Sequence, residues 1–241
     1  MIVEQTAESD GLDSTRGRIA SWSIVISSLI AWFIVLLVSW VFLPPLFQLL
    51  GTSYDVSWEL TGIMAYAILL AITLGFIMID GDWLSIVEML RIKSVKTGMV
   101  LLLALPLAIT IVDSLAVMAY AEFFEMIFGH PDILDVVYPE YEGLPLGLAF
   151  ISTVIAAPVI EEIMFRGYVL DAIRKIHGDV VSVLGSAVIF GILHIDPYVA
   201  GMAAVGGIIY GWIRIKTGSL WPSLISHVIW NGIFFYVTYF L

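Results

Sequence analysis

Three short polar clusters interrupt the otherwise hydrophobic C-terminal half of this chain. They are Glu161-Glu162-Ile-Met-Phe-Arg166, Phe190-Gly-Ile-Leu-His194 and His227-Val-Ile-Trp-Asn231. A charged side chain near the centre of a bilayer costs at least about 2.5–3.5 kcal/mol on insertion scales, so such residues face the protein interior and commonly mark function. Two Glu, an Arg, two His and an Asn on three apolar segments are a set of groups suited to hydrolysis.

The first cluster offers a base beside an ion pair. Glu162 and Arg166 are four residues apart, share a helix face and stand in the favourable order, with Glu first. Glu161 is turned about 100° away and can point elsewhere. One Glu can therefore be structural while its neighbour reacts. We predict that Glu161 takes a proton from water, with His194 assisting.

The other two clusters supply further polar groups. His194 follows Phe190 by one helical turn, where a lone His also suits simple packing. His227 and Asn231 are four residues apart and project from one helix face. Both can donate to the oxyanion of a tetrahedral intermediate, where losing one donor typically costs about 10²–10³ in rate. Base, orienting group and oxyanion donors together meet the requirements of a hydrolytic site.

Zinc is the alternative cofactor that these residues leave open. Glu161, His194 and His227 could form a three-ligand zinc site with an open fourth position. The helical signature His-Glu-x-x-His is absent from the chain, as are Cys residues and therefore thiolate ligands and Cys nucleophiles. We therefore predict metal-free chemistry with no cofactor. An aspartyl mechanism needs two intramembrane Asp, and only Asp113 lies well inside a predicted span, so we expect it to form a helix–helix hydrogen bond or to pair with a site residue.

The composition places these clusters in a membrane protein. Hydrophobic residues make up 61% of the chain and charged residues 13%, with a mean hydropathy of +1.03. The net charge of −11 argues against a nucleic-acid partner. The composition predicts the lipid bilayer as a partner, and the hydrolytic interpretation predicts a peptide or protein substrate. Since a span needs roughly 20 residues, we predict an all-α polytopic transmembrane bundle of about seven (six to eight) spans. The apolar runs that predict them lie at 19–43, 58–79, 98–121, 145–168, 180–195, 198–213 and 219–241. Polar residues, Pro or Gly predict breaks between them at Pro44-Pro45, Asp80-Gly81-Asp82, Gly129-His130-Pro131, Asp196-Pro197 and Thr217-Gly218.

The distribution of basic residues predicts the orientation. Residues 1–18 are predicted to be a disordered tail, and 19–241 a single transmembrane domain. By the positive-inside rule, the loops that hold the Lys and Arg are cytoplasmic, and so is the N-terminus of this multi-pass protein of the cell membrane. Residues 83–97 are predicted to form an amphipathic helix at the inner interface. The ten basic residues are Arg16, Arg18, Arg91, Lys93, Lys96, Arg166, Arg174, Lys175, Arg214 and Lys216.

In their order on successive apolar segments, the motifs Glu-Glu-x-x-x-Arg, Phe-x-x-x-His and His-x-x-x-Asn resemble those of the CPBP family. That family comprises the CAAX prenyl endopeptidases of the Rce1 type and the bacteriocin-processing and immunity proteins called Abi. The resemblance covers about residues 145–241. It implies that Glu161 and His194 activate water, that His227 and Asn231 form the oxyanion hole, and that Glu162 and Arg166 support them.

The function predicted on this basis is that of an intramembrane endopeptidase. The resemblance implies cleavage near the C-terminus of a prenylated or membrane-embedded peptide. The alternative from another class is a non-catalytic membrane protein that confers bacteriocin immunity or scaffolds a signalling complex. A transporter that uses the same intramembrane charges is a third interpretation. Dependence on Glu161 distinguishes the enzyme from the scaffold.

Overall fold

Helices make up most of the described structure. The computed structural model describes residues 2–80, 87–90, 98, 100–132 and 140–241. Five segments in these residues are long and apolar enough to cross a membrane: Val25–Leu49, Tyr54–Ile79, Leu102–Phe128, Gly143–Ile192 and Pro197–Thr217. The predicted class, a polytopic helical bundle, is confirmed. Apart from residues 87–90, the predicted interfacial helix at 83–97 lies outside the described residues.

Three long helices dominate the described part of the N-terminal half. They are α1 (Ile2–Leu49), α2 (Tyr54–Asp80) and α3 (Leu105–Phe128), which a π-helical stretch, Val100–Ala104, precedes. Helix α1 includes residues 2–18, where the sequence predicts a disordered tail, because no proline separates them from the apolar run. It also continues past Pro44 and Pro45, where a break was predicted. Membrane helices tolerate proline when neighbouring groups satisfy the freed backbone.

The C-terminal half begins with a long helical run, Gly143–Ile192, which is kinked at Gly178. It alternates between α-helix and π-helix: α4 (Gly143–Phe150), π-helix Ile151–Ala156, α5 (Ala157–Glu161), π-helix Glu162–Val169 and α6 (Leu170–Ile192). Helices α7 (Pro197–Thr217) and α8 (Trp221–Phe240) follow.

Among the described residues, five apolar segments rather than about seven are long and apolar enough to cross a membrane, for two reasons. The fourth and fifth predicted spans belong to the single 50-residue run, because residues 169–177 are helical rather than a loop. Gly178 divides that run, with φ 77° and ψ −172° inside α6. The seventh predicted span forms α8, which lies outside the five apolar segments because polar residues such as Ser223, His227 and Asn231 lower its hydropathy.

Capping residues place the helix ends nearest the site where the sequence predicted breaks. Helix α3 ends at Gly129, whose φ is 82°. The Asp196 side chain accepts hydrogen bonds from the backbone N–H of Tyr198 and of Val199, both at 3.0 Å, and so caps the start of α7. Helix α7 ends at Gly218 in the left-handed conformation.

Small residues allow α6 and α7 to pack closely. A Cβ atom on Gly191 would lie 2.5 Å from the carbonyl oxygen of Ala200, and one on Gly207 would lie 3.0 Å from the Cα of Ala187. These two helices form the most extensive helix contact in the described residues. Close packing through small residues is typical of membrane helix pairs, and it brings the end of α6 next to α7.

Candidate active site

A change of helix type places two consecutive glutamates in the protein interior. Glu161 is the last residue of α5, and Glu162 begins the π-helix that follows. The wider turn of a π-helix separates neighbouring residues by less than the about 100° of an α-helix. Both side chains are buried, with Glu161 7% and Glu162 0% exposed.

The imidazole of His227 lies between these two carboxylates. Its Nδ1 is 3.2 Å from Glu162 Oε1, and its Nε2 is 3.6 Å from Glu161 Oε2. His227 itself is 6% exposed. Each ring nitrogen therefore faces a different glutamate, and the shorter contact is the one to Glu162.

Arg166 completes the buried centre. Its Nη1 is 3.2 Å from Glu162 Oε1, as the spacing of four residues predicted. Its Cζ lies 4.2 Å from the ring centroid of Phe190 and 5.5 Å from that of Tyr210. The guanidinium is 1% exposed, so it is a buried charge and not the loop charge that the orientation argument counted.

His194 lies next to this centre with its ring half-buried. Its Nδ1 is 3.0 Å from the carbonyl oxygen of Phe190, and its ring centroid is 4.8 Å from that of Phe190. In the described part of the chain, no hydrogen bond or ion pair joins His194 to Glu161. Phe190 therefore connects His194 to the buried centre.

Asn231 is held by a hydrogen bond to a backbone carbonyl group. Its Nδ2 donates to the carbonyl oxygen of Thr153, at 2.9 Å, in the π-helix Ile151–Ala156. Asn231 lies one turn after His227 on α8, as predicted. The structure thus brings Glu161, Glu162, Arg166 and His227 into direct contact and places His194 and Asn231 at the edge of that group.

Two polar residues from other helices also reach this centre. The hydroxyl of Tyr210 on α7 donates to Asp113 Oδ2 on α3, at 2.6 Å, which confirms the predicted helix–helix hydrogen bond of Asp113. The ring of Tyr210 lies 5.3 Å from that of His227. Tyr210 was not predicted. A signal existed, because a tyrosine hydroxyl inside a span needs a partner and Asp113 needed a donor.

The zinc alternative finds no support in the arrangement of the side chains. Among the described residues, no group of three or more His, Asp or Glu side chains is placed so that it could hold a metal ion. His194 is turned toward the carbonyl of Phe190, and His227 is turned toward the two glutamates. Glu161, His194 and His227, the ligands of the alternative zinc site, are therefore not grouped around one metal position in this structure.

Known proteins match the part of the chain that holds these residues. Residues 144–233 match the family model described as type II CAAX prenyl endopeptidase Rce1-like. The chain is 28% identical over 99 residues to the "Putative membrane peptidase YdiL" of Bacillus subtilis (strain 168). That match spans 41% of this chain and 38% of the relative's length. No solved structure matches the chain. Residues 144–233 of this polytopic membrane protein are therefore a domain of the Rce1-like type II CAAX prenyl endopeptidase family.

Proposed function

We propose that the protein is an intramembrane endopeptidase that cleaves near the C-terminus of a prenylated or membrane-embedded peptide. A water molecule activated by Glu161 and His194 is the nucleophile. The observation that carries this proposal is the His227 imidazole between two buried glutamates, within a domain of a protease family.

The two glutamates have different surroundings and therefore different roles. Glu162 has no exposed surface and contacts both Arg166 and the nearer nitrogen of His227. Glu161 keeps 7% of its surface exposed, and its contact with His227 is longer, at 3.6 Å. A general base must be reachable by water, whereas an orienting group need not be. We assign the base to Glu161 and the support of His227 to Glu162.

The backbone contact of His194 sets its protonation pattern. When Nδ1–H donates to the carbonyl of Phe190, the neutral imidazole carries its lone pair on Nε2. A lone pair on Nε2 can accept a hydrogen bond from the attacking water. His194 is half-buried, and we propose that this nitrogen and Glu161 bind the same water.

His227 and Asn231 are the proposed oxyanion donors. His227 Nδ1–H donates to Glu162 and so orients the ring. We propose that the ring is doubly protonated, because only then does Nε2, 3.6 Å from Glu161, also carry an N–H that can donate to substrate. The Asn231 amide has two N–H groups, and its bond to Thr153 uses one of them. The second can donate to the same oxyanion.

The reaction follows from these roles. Water oxygen attacks the scissile carbonyl carbon while Glu161 accepts a proton from the water, and the carbonyl oxygen becomes an oxyanion held by His227 and Asn231. On collapse, the C–N bond breaks and Glu161 returns the proton to the departing amine. The products are a carboxylic acid and a free amine, and Glu161 is again ionised.

An apolar rim next to the site supports a lipid-bearing substrate. Ile192 and Ile195 stand on either side of His194 and are 67% and 88% exposed. Side chains of this type suit a prenyl group or a membrane-embedded peptide. We further propose that the site opens toward the cytoplasm and that the N-terminus is cytoplasmic, on the basis of the basic loops.

The test uses purified full-length protein in detergent and a quenched peptide that ends in a farnesylated CAAX sequence (a cysteine, two aliphatic residues and a terminal residue). The same peptide without the farnesyl group is assayed in parallel, each with and without chelator. We expect cleavage that resists chelator, prefers the farnesylated peptide and is abolished by Glu161→Gln.

The matched control is Glu125→Gln, which makes the same change on an exposed carboxylate of α3. It should leave cleavage unchanged. Absence of cleavage by folded wild-type protein, or equal cleavage by wild type and Glu161→Gln, would contradict the proposal. Loss of cleavage with chelator and its recovery with zinc would contradict the metal-free mechanism.

A further inference from the structure

The N-terminal half of the molecule also contributes to the surroundings of the site. We propose that Asp113 and Tyr210 are positioning residues for the hydrolysis proposed above, on which this inference rests. Asp113 holds the hydroxyl of Tyr210, and the ring of Tyr210 fixes His227 and Arg166. Asp113 lies on α3, outside the domain matched at 144–233.

The contact between the two residues is short and fully enclosed. The hydroxyl of Tyr210 donates to Asp113 Oδ2 at 2.6 Å, and each residue is 2% exposed. Hydrogen bonds to a charged acceptor are shorter and about twice as strong as neutral ones. A buried polar group that loses its partner carries the full cost of desolvation. Each residue therefore fixes the other, although they belong to different helices.

The ring of Tyr210 transmits this constraint to the site. It lies 5.3 Å from the ring of His227 at an interplanar angle of 32°, and 5.5 Å from the Cζ of Arg166. On another side, the ring of Phe190 meets His227 edge-on at 6.2 Å. Two aromatic rings thus limit rotation of the imidazole, which must keep Nδ1 toward Glu162 to present Nε2 to substrate.

The backbone of α7 leaves little room for these groups to move. A Cβ atom on Gly206 would lie 3.2 Å from Asp113 Oδ1, and one on Gly207 would lie 3.2 Å from Arg166 Nη2. A side chain at either position would therefore press on the carboxylate or on the guanidinium, so both groups lie close to the backbone of α7. The two glycines therefore leave space for Asp113 and Arg166, in addition to allowing the helices to pack closely.

Asp113 also interacts with the site through its charge. Its carboxylate is close enough to interact electrostatically with His227, Arg166 and Glu162. A third carboxylate in an interior with one arginine is costly unless it is hydrogen-bonded. Tyr210 provides that bond and so allows Asp113 to lie near the imidazole without displacing it.

The experiment is a double-mutant cycle on the full-length protein with the farnesylated peptide. Asp113→Asn and Tyr210→Phe are each expected to lower kcat about ten-fold, and the double variant about ten-fold rather than a hundred-fold, since coupled residues are not additive. KM should change by less than about two-fold, because the effect is on the orientation of a transition-state donor. Tyr210→Phe removes one oxygen atom only, so it tests the idea even when Asp113→Asn folds poorly.

A second readout does not depend on activity. Nitrogen-15 NMR of His-labelled protein, with the His227 signals assigned by His227→Gln, reports the environment of the ring. Both variants should shift the His227 signals. The control is Thr110→Val, one helical turn from Asp113. It removes a hydroxyl that donates to the backbone carbonyl oxygen of Pro106, at 2.9 Å, and lies 3.5 Å from that of Ser226. It should leave kcat and the His227 signals unchanged.

The outcomes separate this inference from the proposed function. Unchanged His227 signals in Asp113→Asn and Tyr210→Phe would overturn the inference. An equal loss of kcat in Thr110→Val would also overturn it, because it would show that the losses come from disturbed packing alone. If the wild-type protein cleaves no peptide but both variants still shift the His227 signals, the positioning of His227 is supported and the proposed hydrolysis is overturned.

Discussion

Two arginine–carboxylate pairs of almost equal length lie in the C-terminal half of the molecule. Arg166 and Glu162 are 3.2 Å apart, and Arg214 and Asp171 are 3.1 Å apart. Their exposures differ: the side chains of the first pair are 1% and 0% exposed, and those of the second 10% and 38%. Only the first pair is also in contact with a histidine, His227.

The difference shows that pair distance does not identify a functional group. Removing two charges from water is costly, and their mutual attraction offsets that cost only with good geometry and further partners. The buried pair has such partners in His227 and the rings of Phe190 and Tyr210. A pair that solvent reaches contributes little to stability. Burial and neighbours therefore distinguish the site pair from the pair between α6 and α7.

The largest expected effect comes from removing the buried guanidinium. Arg166→Met leaves Glu162 buried without its countercharge, and breaking a pair in this way costs about 3–5 kcal/mol. Arg214→Met should cost about 1 kcal/mol or less, because its partner is partly exposed. Denaturation of the purified variants in detergent measures both values. If both variants lose the same free energy of unfolding, the distinction between the two pairs is wrong.

A smaller effect is expected from an oxyanion donor at the edge of the site. Asn231→Ala should lower kcat about 10²-fold with little change in KM, because one donor to the developing charge is lost. Steady-state kinetics on the farnesylated peptide test this. Ser226→Ala is the control, since its buried hydroxyl donates to the backbone oxygens of Pro106 and Pro222. A comparable fall in kcat for Ser226→Ala would indicate disturbed packing of α8 instead.

The smallest effect is expected from the exposed partner of the second pair. Asp171→Asn should leave the cleavage rate within about two-fold of wild type and lower stability by about 1 kcal/mol or less, because solvent already screens the pair. Cleavage assays and melting curves at low and high salt measure these changes. A ten-fold loss of activity would show that this pair also belongs to the site.

The sequence predicted the features that depend only on residues close to one another along the chain. The ends of α3 and α7 followed from Gly129, Asp196 and Gly218, since each satisfies a helix end by its own backbone or side chain. The Glu162–Arg166 pair followed from helical spacing. These features need no knowledge of which helices pack together.

Tertiary packing decided the features that the sequence could not predict. An α-helical reading turns Glu161 and Glu162 apart, whereas the π-helix places both against His227. The choice of Tyr210 as partner of Asp113 depends on how α3 meets α7. The helix through Pro44 is likewise maintained despite an unfavourable local residue.

The central claim is that the buried Glu–His centre performs hydrolysis, and one comparison of rates tests it most directly. Cleavage of the farnesylated peptide is measured for wild type, Glu161→Gln and Asp171→Asn, each shown to be folded by its melting curve. We predict a loss of about 10³-fold or more for Glu161→Gln, within the range expected for a general base, and a rate close to wild type for Asp171→Asn. A folded Glu161→Gln protein that cleaves at the wild-type rate would contradict the account.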